Sequence, residues 1–367
     1  MTILSGIDDT PLTKLLAGDT PVASMYFDQR PPGDVPVRWR TVARLLSEQG
    51  APTHTIDALA EHVLDAVPGP GQLAAFAQGD KVTLTLTLPE ADAAYIGRYG
   101  ALPHLKPLLA WEQEHPARIV ATLDRTGADI SVYPAGSSEP QAATVNGPDD
   151  EIERNAPGGW SQGRYQNRAE DSWEHNSIAV AETVARLLKR FRAHVLFLAG
   201  DVRALQYLEE HLPRWIQTGV TVRRLSGGRS EDGSAARQSE QLVDQTRQIV
   251  AEQNAALLAE FAAHVGTGGL AVQGTDETFA ALAAGRVRTL LLPTSDSDDR
   301  AWFGPAPTDL SLQPNPLIGA AGAACEAPLE DIAIRAALLT DADVRIVPDE
   351  EATFTIAALC RFTPTAA

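Results

Sequence analysis

Apolar and polar positions along this chain follow two periods, and each change of period marks an element. Val22-Ala23-Ser24-Met25-Tyr26-Phe27 is almost continuously apolar and predicts a buried strand, closed by the loop signal Asp28-Gln29-Arg30-Pro31-Pro32-Gly33. A short helix is expected before it over 11–16, with Thr10 placed to cap it and Pro11 suited to its first turn. Val42, Leu45 and Leu46, then Ile56, Leu59, Val63 and Leu64, recur at helical spacing, and Gly50-Ala51-Pro52 separates the two helices. Two apolar runs, 71–78 and 81–88, flank Gly79-Asp80 and predict a hairpin. The stretch 104–111 closes this first part.

A second part begins near Pro116. Residues 118–123 and 128–133 predict paired strands around the turn Asp124-Arg125-Thr126-Gly127. An acidic, turn-rich run, 146–153, and a glycine-containing stretch, 157–168, come next. From Asp171 onward Trp173, Ile178, Ala181, Val184, Leu187, Leu188 and Phe191 keep largely to one helical face, with Glu182, Arg186 and Lys189 on the other. A strand over 194–199, a helix from Asp201 to about His211 and a strand over 220–225 suggest a βαβ-like unit. The loop 226–234 contains Glu231 and Asp232 and no following Gly-Lys-Ser/Thr, so it reads as a surface connection into a long helix over 235–265. A third part starts at Gly268: a strand near 269–274, a helix over 275–284, a strand over 287–292, a helix over 329–339, a strand over 343–347 and a last apolar stretch, 354–360. Between them, 293–328 is rich in Asp, Pro, Gly and Ala and is expected to be irregular, an insertion in a loop. The fold class is α/β, three consecutive small α/β domains with boundaries at 1–115, 116–266 and 267–367.

Composition narrows the possible functions. At 367 residues the chain is too long for one ordinary core. A formal net charge of -18 argues against a broadly basic DNA binder, so any nucleic-acid contact must be local. Cys325 and Cys360 stand far apart in different contexts, which fits a reducing compartment and no disulfide framework. No apolar run approaches the roughly 18 residues of a membrane span. The first ten residues lack a basic segment, so no secretory signal is evident and a cytoplasmic location is expected, with no membrane partner. His54 and His62 have no accompanying Cys or carboxylate pattern, so neither a metal site nor a cofactor is expected. Asp124, Asp201 and Asp276 stand where turns or helices start, which is a capping role.

One stretch runs against the charge of the whole. Between Gly158 and Asn167 there is no acidic residue, and the stretch carries Gly158, Gly159, Trp160, Ser161, Gln162, Arg164, Tyr165, Gln166 and, just beyond, Arg168. Adjacent glycines let a backbone take positive φ or lie against another molecule, and they stand just ahead of a polar amide and two arginines. Residues 157–168 are therefore expected to form an exposed loop, anchored at its far end by the amphipathic helix.

A resemblance adds to this reading. The order of the parts, the hairpin 119–133, the loop 158–162 and the ending 343–362 resemble the archaeo-eukaryotic class 1 release factor superfamily. Its bacterial branch, with Balon-type ribosome hibernation factors and Pelota relatives, is the most similar. The third-domain pattern of that family stands here as Gly269-Leu270, Gly274, Asp276-Glu277, Ala281-Leu282, Gly285, Val287 and Leu290-Leu291-Leu292. The resemblance implies a release-factor-like architecture and a ribosome-binding translation factor. Such a factor occupies the A site and reaches the peptidyl transferase centre with residues 157–168, where Gly158, Gly159, Trp160, Ser161, Gln162, Arg164, Tyr165, Gln166 and Arg168 would meet ribosomal RNA. Gly159 and Gln162 have the spacing of a Gly-x-x-Gln variant, so Gln162 is the catalytic candidate if the chain is a peptidyl-tRNA hydrolase. The Trp160-Ser161 pair departs from Gly-Gly-Gln, and no Asn-Ile-Lys-Ser string occurs in the first part. A stress-response hibernation factor that reads no stop codon is therefore expected before a rescue hydrolase. Further candidate partners are tRNA and a translational GTPase.

Overall fold

The computed structural model describes residues 9–30, 34–64, 71–89, 95–124, 127–137, 140–146, 162–227, 234–266, 270–314 and 324–363. The chain forms two compact units, Met1–Gln113 together with Gln253–Ala367, and Glu114–Glu252.

In the first unit the chain opens with α1 (Asp9–Leu16), β1 (Val22–Asp28), α2 (Val35–Glu48), α3 (Thr53–Leu64), β2 (Gln72–Gln78), β3 (Lys81–Leu88), β4 (Tyr95–Gly100) and α4 (Lys106–Glu114). The strands form an antiparallel sheet in the order β3-β2-β1-β4. Every residue of β1 is buried because both sheet faces are covered. Ala23, Met25 and Phe27 pack with Trp39, Val42, Leu46, Leu59 and Val63 of α2 and α3. Val22 and Tyr26 face a second core with Leu15, Leu105 and Leu108. A continuous apolar run is what two-sided burial requires. The sequence reading missed β4, whose Gly97 and Gly100 interrupt the apolar alternation. Gly97 lies under α2, where a Cβ would stand 3.0 Å from the Val42 carbonyl oxygen.

The second unit contains β5 (Arg118–Leu123), β6 (Gly127–Tyr133), β7 (Gln141–Asn146), α5 (Gln162–Arg190), β8 (Val195–Gly200), α6 (Val202–His211), α7 (Arg214–Gly219) and β9 (Thr221–Arg224). The helix α8 (Ser234–His264) follows, its last turns belonging to the first unit. The strand order is β7-β6-β5-β8-β9, with β5, β8 and β9 parallel and β6 and β7 antiparallel. Along β8 the side chains alternate as the pleat demands. Leu196 and Leu198 join Val184 and Leu188 of α5 and Leu205 and Leu208 of α6. Val195, Phe197 and Ala199 meet Leu242 and Ile249 of α8 on the opposite face. The result is a three-layer α/β/α sandwich.

The chain then returns to the first unit through β10 (Ala271–Gln273), α9 (Thr275–Ala283), β11 (Val287–Pro293), β12 (Arg300–Phe303), β13 (Leu310–Ser311), β14 (Cys325–Pro328), α10 (Leu329–Leu339), β15 (Asp343–Val347) and β16 (Ala357–Cys360). One sheet runs β10-β16-β11-β15, parallel only between β11 and β15. The family pattern of the third part is a folding pattern. Ala281, Leu282, Val287, Leu290, Leu291 and Leu292 are all buried, and Gly274 is the N-cap of α9. The expectation of an irregular 293–328 is corrected: β12 pairs with β13 and β14 in a small sheet of its own. These strands are two to four residues long, too short for periodicity to reveal, and the buried Ala301 and Phe303 alternate with half-exposed Trp302 only once packed.

Candidate functional site

Three features of the second unit converge on one edge of its sheet. β5 and β8 both end there, at Leu123 and Gly200, and the antiparallel register through β6 brings Asn146, the end of β7, to the same edge. The carboxyl edge of parallel strands is where α/β folds place their working loops. Gly200 makes the turn from β8 into α6 with φ +122, and a Cβ on it would lie 1.9 Å from the Leu123 carbonyl oxygen. The next residue, Asp201, donates its N–H to that same oxygen at 3.1 Å, and its carboxylate accepts from the N–H groups of Arg203 and Ala204. Asp124 closes its own turn by accepting from the Gly127 N–H at 3.0 Å. Both aspartates therefore hold turns or helix starts, as their positions in the sequence predict. For Asp276 the structure assigns a different duty: α9 has no side-chain cap, and Asp276 lies with Glu277 in the first turn, where a carboxylate offsets the helix dipole.

From β7 the chain leaves this edge and re-enters described structure at Gln162. Gly158, Gly159, Trp160 and Ser161 lie outside the described residues, as does most of the acidic run 146–153. Gln162 begins α5, so Gln162, Arg164, Tyr165, Gln166 and Arg168 belong to the first two turns of a 29-residue helix. That corrects the expectation of a loop extending to Arg168. No proline interrupts 162–190, and no β-branched residue precedes Ile178, so Gly163 is the poorest helix former near the start. Further along, Val180, Ala181, Val184 and Leu188 are buried, Leu187 and Phe191 are half-buried, and Ile178 is exposed. Fully burying a side chain such as Leu188 contributes about 1.5–3 kcal/mol, so the later turns of α5 anchor its beginning.

A second polar constellation, in the first unit, escaped the sequence reading. The turn after β4 carries buried His104, whose Nδ1 is 3.1 Å from Asp331 Oδ1 in α10 and whose Nε2 is 3.9 Å from Asp296 Oδ2. Lys106, the first residue of α4, places Nζ 2.8 Å from Glu330 Oε2, 3.3 Å from Asp296 Oδ1 and 2.6 Å from the Ser295 carbonyl. Arg98 of β4 reaches Asp296 at 3.2 Å. The position of His104 is fixed by its backbone, which donates to Ser24 Oγ at 2.9 Å and accepts from the Tyr26 hydroxyl at 2.8 Å. Burial pushes the Tyr26 hydroxyl well above its ordinary pKa, so it stays a neutral donor. Burial also raises Asp331, against the opposing hydrogen bond from His104, and raises Glu330, against that from Lys106. Arg98, His104, Asp296, Glu330 and Asp331 border a cleft of about 80 Å³ lined by both signs of charge.

Chemically the constellation is a clamp. Arg98 and Lys106 face three carboxylates, and the described residues include no group of three His, Cys, Asp or Glu side chains able to hold a metal ion. Cys360 is buried in β16 with its thiol pushed up by burial, and Cys325 is half-buried. His54 and His62 are exposed on α3. No local signal distinguishes His104 or Lys106 in the sequence, because the polar groups that their side chains meet are more than 180 residues away.

Comparison with known proteins bears on the sandwich unit first. Residues 117–267 match the family described as bacterial archaeo-eukaryotic release factor family 2. The uncharacterized protein Rv2629 of Mycobacterium tuberculosis is 30% identical over 354 residues, spanning 91% of this chain and 92% of its own. Among solved structures, the archaeal translation termination factor aRF1 matches at 16% identity, over 96% of this chain and 97% of its own, with a TM-score of 0.26. Saccharomyces cerevisiae Dom34, a translation termination-like factor, matches at 13% identity over 79% of this chain and 75% of its own, with a TM-score of 0.44. No described helix is long and apolar enough to cross a membrane.

Proposed function

The chain belongs to bacterial archaeo-eukaryotic release factor family 2, and from that premise we propose that it is a ribosome-binding translation factor. In this reading it occupies the A site and brings residues 157–168 to the peptidyl transferase centre, shielding an idle ribosome without reading a stop codon. The observation that supports the reading is the acid-free segment and its position in the sequence. In a chain of net charge -18, the sequence 158–167 carries no acidic residue and falls within 117–267, the part that matches the family, and its described residues, 162–167, belong to the first turns of α5. Arg164 and Arg168 are one helical turn apart, a spacing that suits successive phosphates of RNA. Gly158 and Gly159 give the approach to them a backbone without side-chain bulk. Work on ribosomes would put the protein in the cytoplasm, where tRNA and a translational GTPase are available as further partners.

A second reading rests on the spacing of Gly159 and Gln162. In a rescue peptidyl-tRNA hydrolase the Gln162 amide would position water against the ester joining peptide to tRNA. An amide has no titratable proton near neutrality, so its contribution would be orientation rather than general-base catalysis. Co-sedimentation with vacant ribosomes across a salt series, followed by a peptidyl-tRNA release assay, separates the two. Shielding gives salt-sensitive binding with no release. Rescue gives release that Gln162→Ala abolishes while binding persists. Equal binding by wild type and by Arg164→Glu/Arg168→Glu would remove the segment from both readings.

A further inference from the structure

The opposite end of α5 carries a second reversal of charge, on described and exposed side chains. Arg186, Lys189 and Arg190 are spaced i, i+3 and i+4, so they share the outward face of its last turns, and all three are exposed. Arg192 is exposed directly after the helix, with φ 49. Across from them α7 presents exposed Arg214 and Trp215, with Lys189 Nζ 5.1 Å from the centre of the Trp215 ring. Among the described residues none of these cations has a carboxylate within ion-pair distance; Arg186 donates instead to the Thr183 hydroxyl at 2.9 Å. Exposed Glu182 is one turn back on the same face and leaves Arg186 unpaired. Elsewhere in this unit Arg223 pairs with Glu252 at 2.7 Å and Arg224 with Glu209 at 2.6 Å.

Helix-dipole compensation accounts for Lys189 and Arg190 in the last turn, but not for Arg186 a turn earlier or for Arg214 on another helix. We propose that Arg186, Lys189, Arg190, Arg192, Arg214 and Trp215 form a second RNA-binding surface, taking the phosphate backbone on the guanidinium groups and a base or ribose on the exposed indole face. RNA fits better than an acidic protein because arginine forks match phosphate and Trp215, 37% exposed and already bearing a cation, offers a stacking plane beside them. The 29 residues of α5 separate this surface from the segment at Gln162 by about 40 Å. The two therefore meet different stretches of RNA. The proposal rests on the reading that the protein works on ribosomes, and it adds a contact that the segment 157–168 does not supply.

The test uses the full chain and fluorescence anisotropy with a labelled RNA hairpin of about twenty nucleotides, across a salt series. Arg186→Glu/Arg190→Glu/Arg214→Glu is expected to bind at least about tenfold more weakly at low salt, with a salt slope smaller by about two to three. Arg186→Lys/Arg190→Lys/Arg214→Lys should retain most of the affinity. If the reversed variant lost its cooperative melt, Arg186→Gln/Arg190→Gln/Arg214→Gln would replace it, with a smaller loss expected. Equal affinity of wild type and reversed variant, or no salt-dependent binding by the wild type, overturns the proposal. Ribosome co-sedimentation keeps the two claims apart. Loss of binding in Arg164→Glu/Arg168→Glu but not in the reversed patch refutes the surface alone, whereas no ribosome binding by the wild type refutes the functional reading.

Discussion

Single residues in this protein bear much of the geometry, and two of them give sharp tests. Gly200 occupies a backbone conformation that side chains rarely adopt, and the added Cβ of Gly200→Ala would meet a main-chain oxygen that cannot move aside. The substitution should destabilise the second unit by about 2 kcal/mol or more, read as a lower urea midpoint with unchanged slope. Asp28 gives the other. Burial pushes its carboxyl pKa up, but hydrogen bonds from the Arg30 side chain and backbone, with the charges of Arg30 and Arg38, outweigh burial and leave it below the ordinary carboxylate value. Its Oδ1 is 3.0 Å from Arg30 Nε. A depressed folded pKa means stability that is present above the unfolded pKa and lost as pH falls through the folded one. Thermal melts from neutrality to about pH 3 should therefore show a shallower acid decline in Asp28→Asn than in the wild type, from a lower starting point. The sequence shows Asp28 as a strand end before a Pro-Pro-Gly loop and nothing of its charge partners.

At the scale of elements, edges and caps decide what the hydrophobic pattern leaves open. β15 is an edge strand of its sheet, and its exposed backbone is covered by one side chain of α4. Gln113 donates from Nε2 to the Ile346 carbonyl at 2.8 Å and accepts at Oε1 from the Ile346 N–H at 3.0 Å, so the amide does the work of a neighbouring strand. Gln113→Leu would leave both backbone groups buried without partners, at a cost of about 2–4 kcal/mol, with faster amide exchange at Ile346 as the local signature. Helix α5 teaches the converse lesson. Its amphipathic centre was legible, while its start was not, since the glycines and polar residues before it look like a loop up to Arg168. A helix held by its later turns can extend through polar positions that would not nucleate one.

For the molecule as a whole, the first unit depends on contacts between its two distant chain segments. One core joins Leu15, Tyr26 and Phe76 to Leu282, Ile332 and Val344, and buried Arg335 of α10 donates from Nε to the Leu16 carbonyl at 2.8 Å. The Lys106–Glu330 pair belongs to this seam, with side chains 3% and 6% exposed. Lys106→Met should cost about 3–5 kcal/mol because it leaves a carboxylate buried beside Asp296, and adding Glu330→Gln should recover part of that loss. Chemical denaturation of the two single variants and the double variant measures the coupling, and a strictly additive pair would deny the clamp. The same long-range packing explains why the small sheet of β12, β13 and β14 was hidden: strands this short exist only where a surrounding core selects them.

The sequence by itself determined the α/β class, most of the strands and helices, the family pattern of the third part and the acid-free segment 158–167. All of these rest on local periodicity, turn chemistry or short spacings, which a linear string records directly. Tertiary structure decided that Met1–Gln113 and Gln253–Ala367 share one unit, that His104, Lys106, Asp296, Glu330 and Asp331 meet, and that Lys189 stands over the ring of Trp215. Those groupings join residues tens to hundreds of positions apart. Burial and charge pairing act through space, and only the folded backbone sets the distances on which they depend.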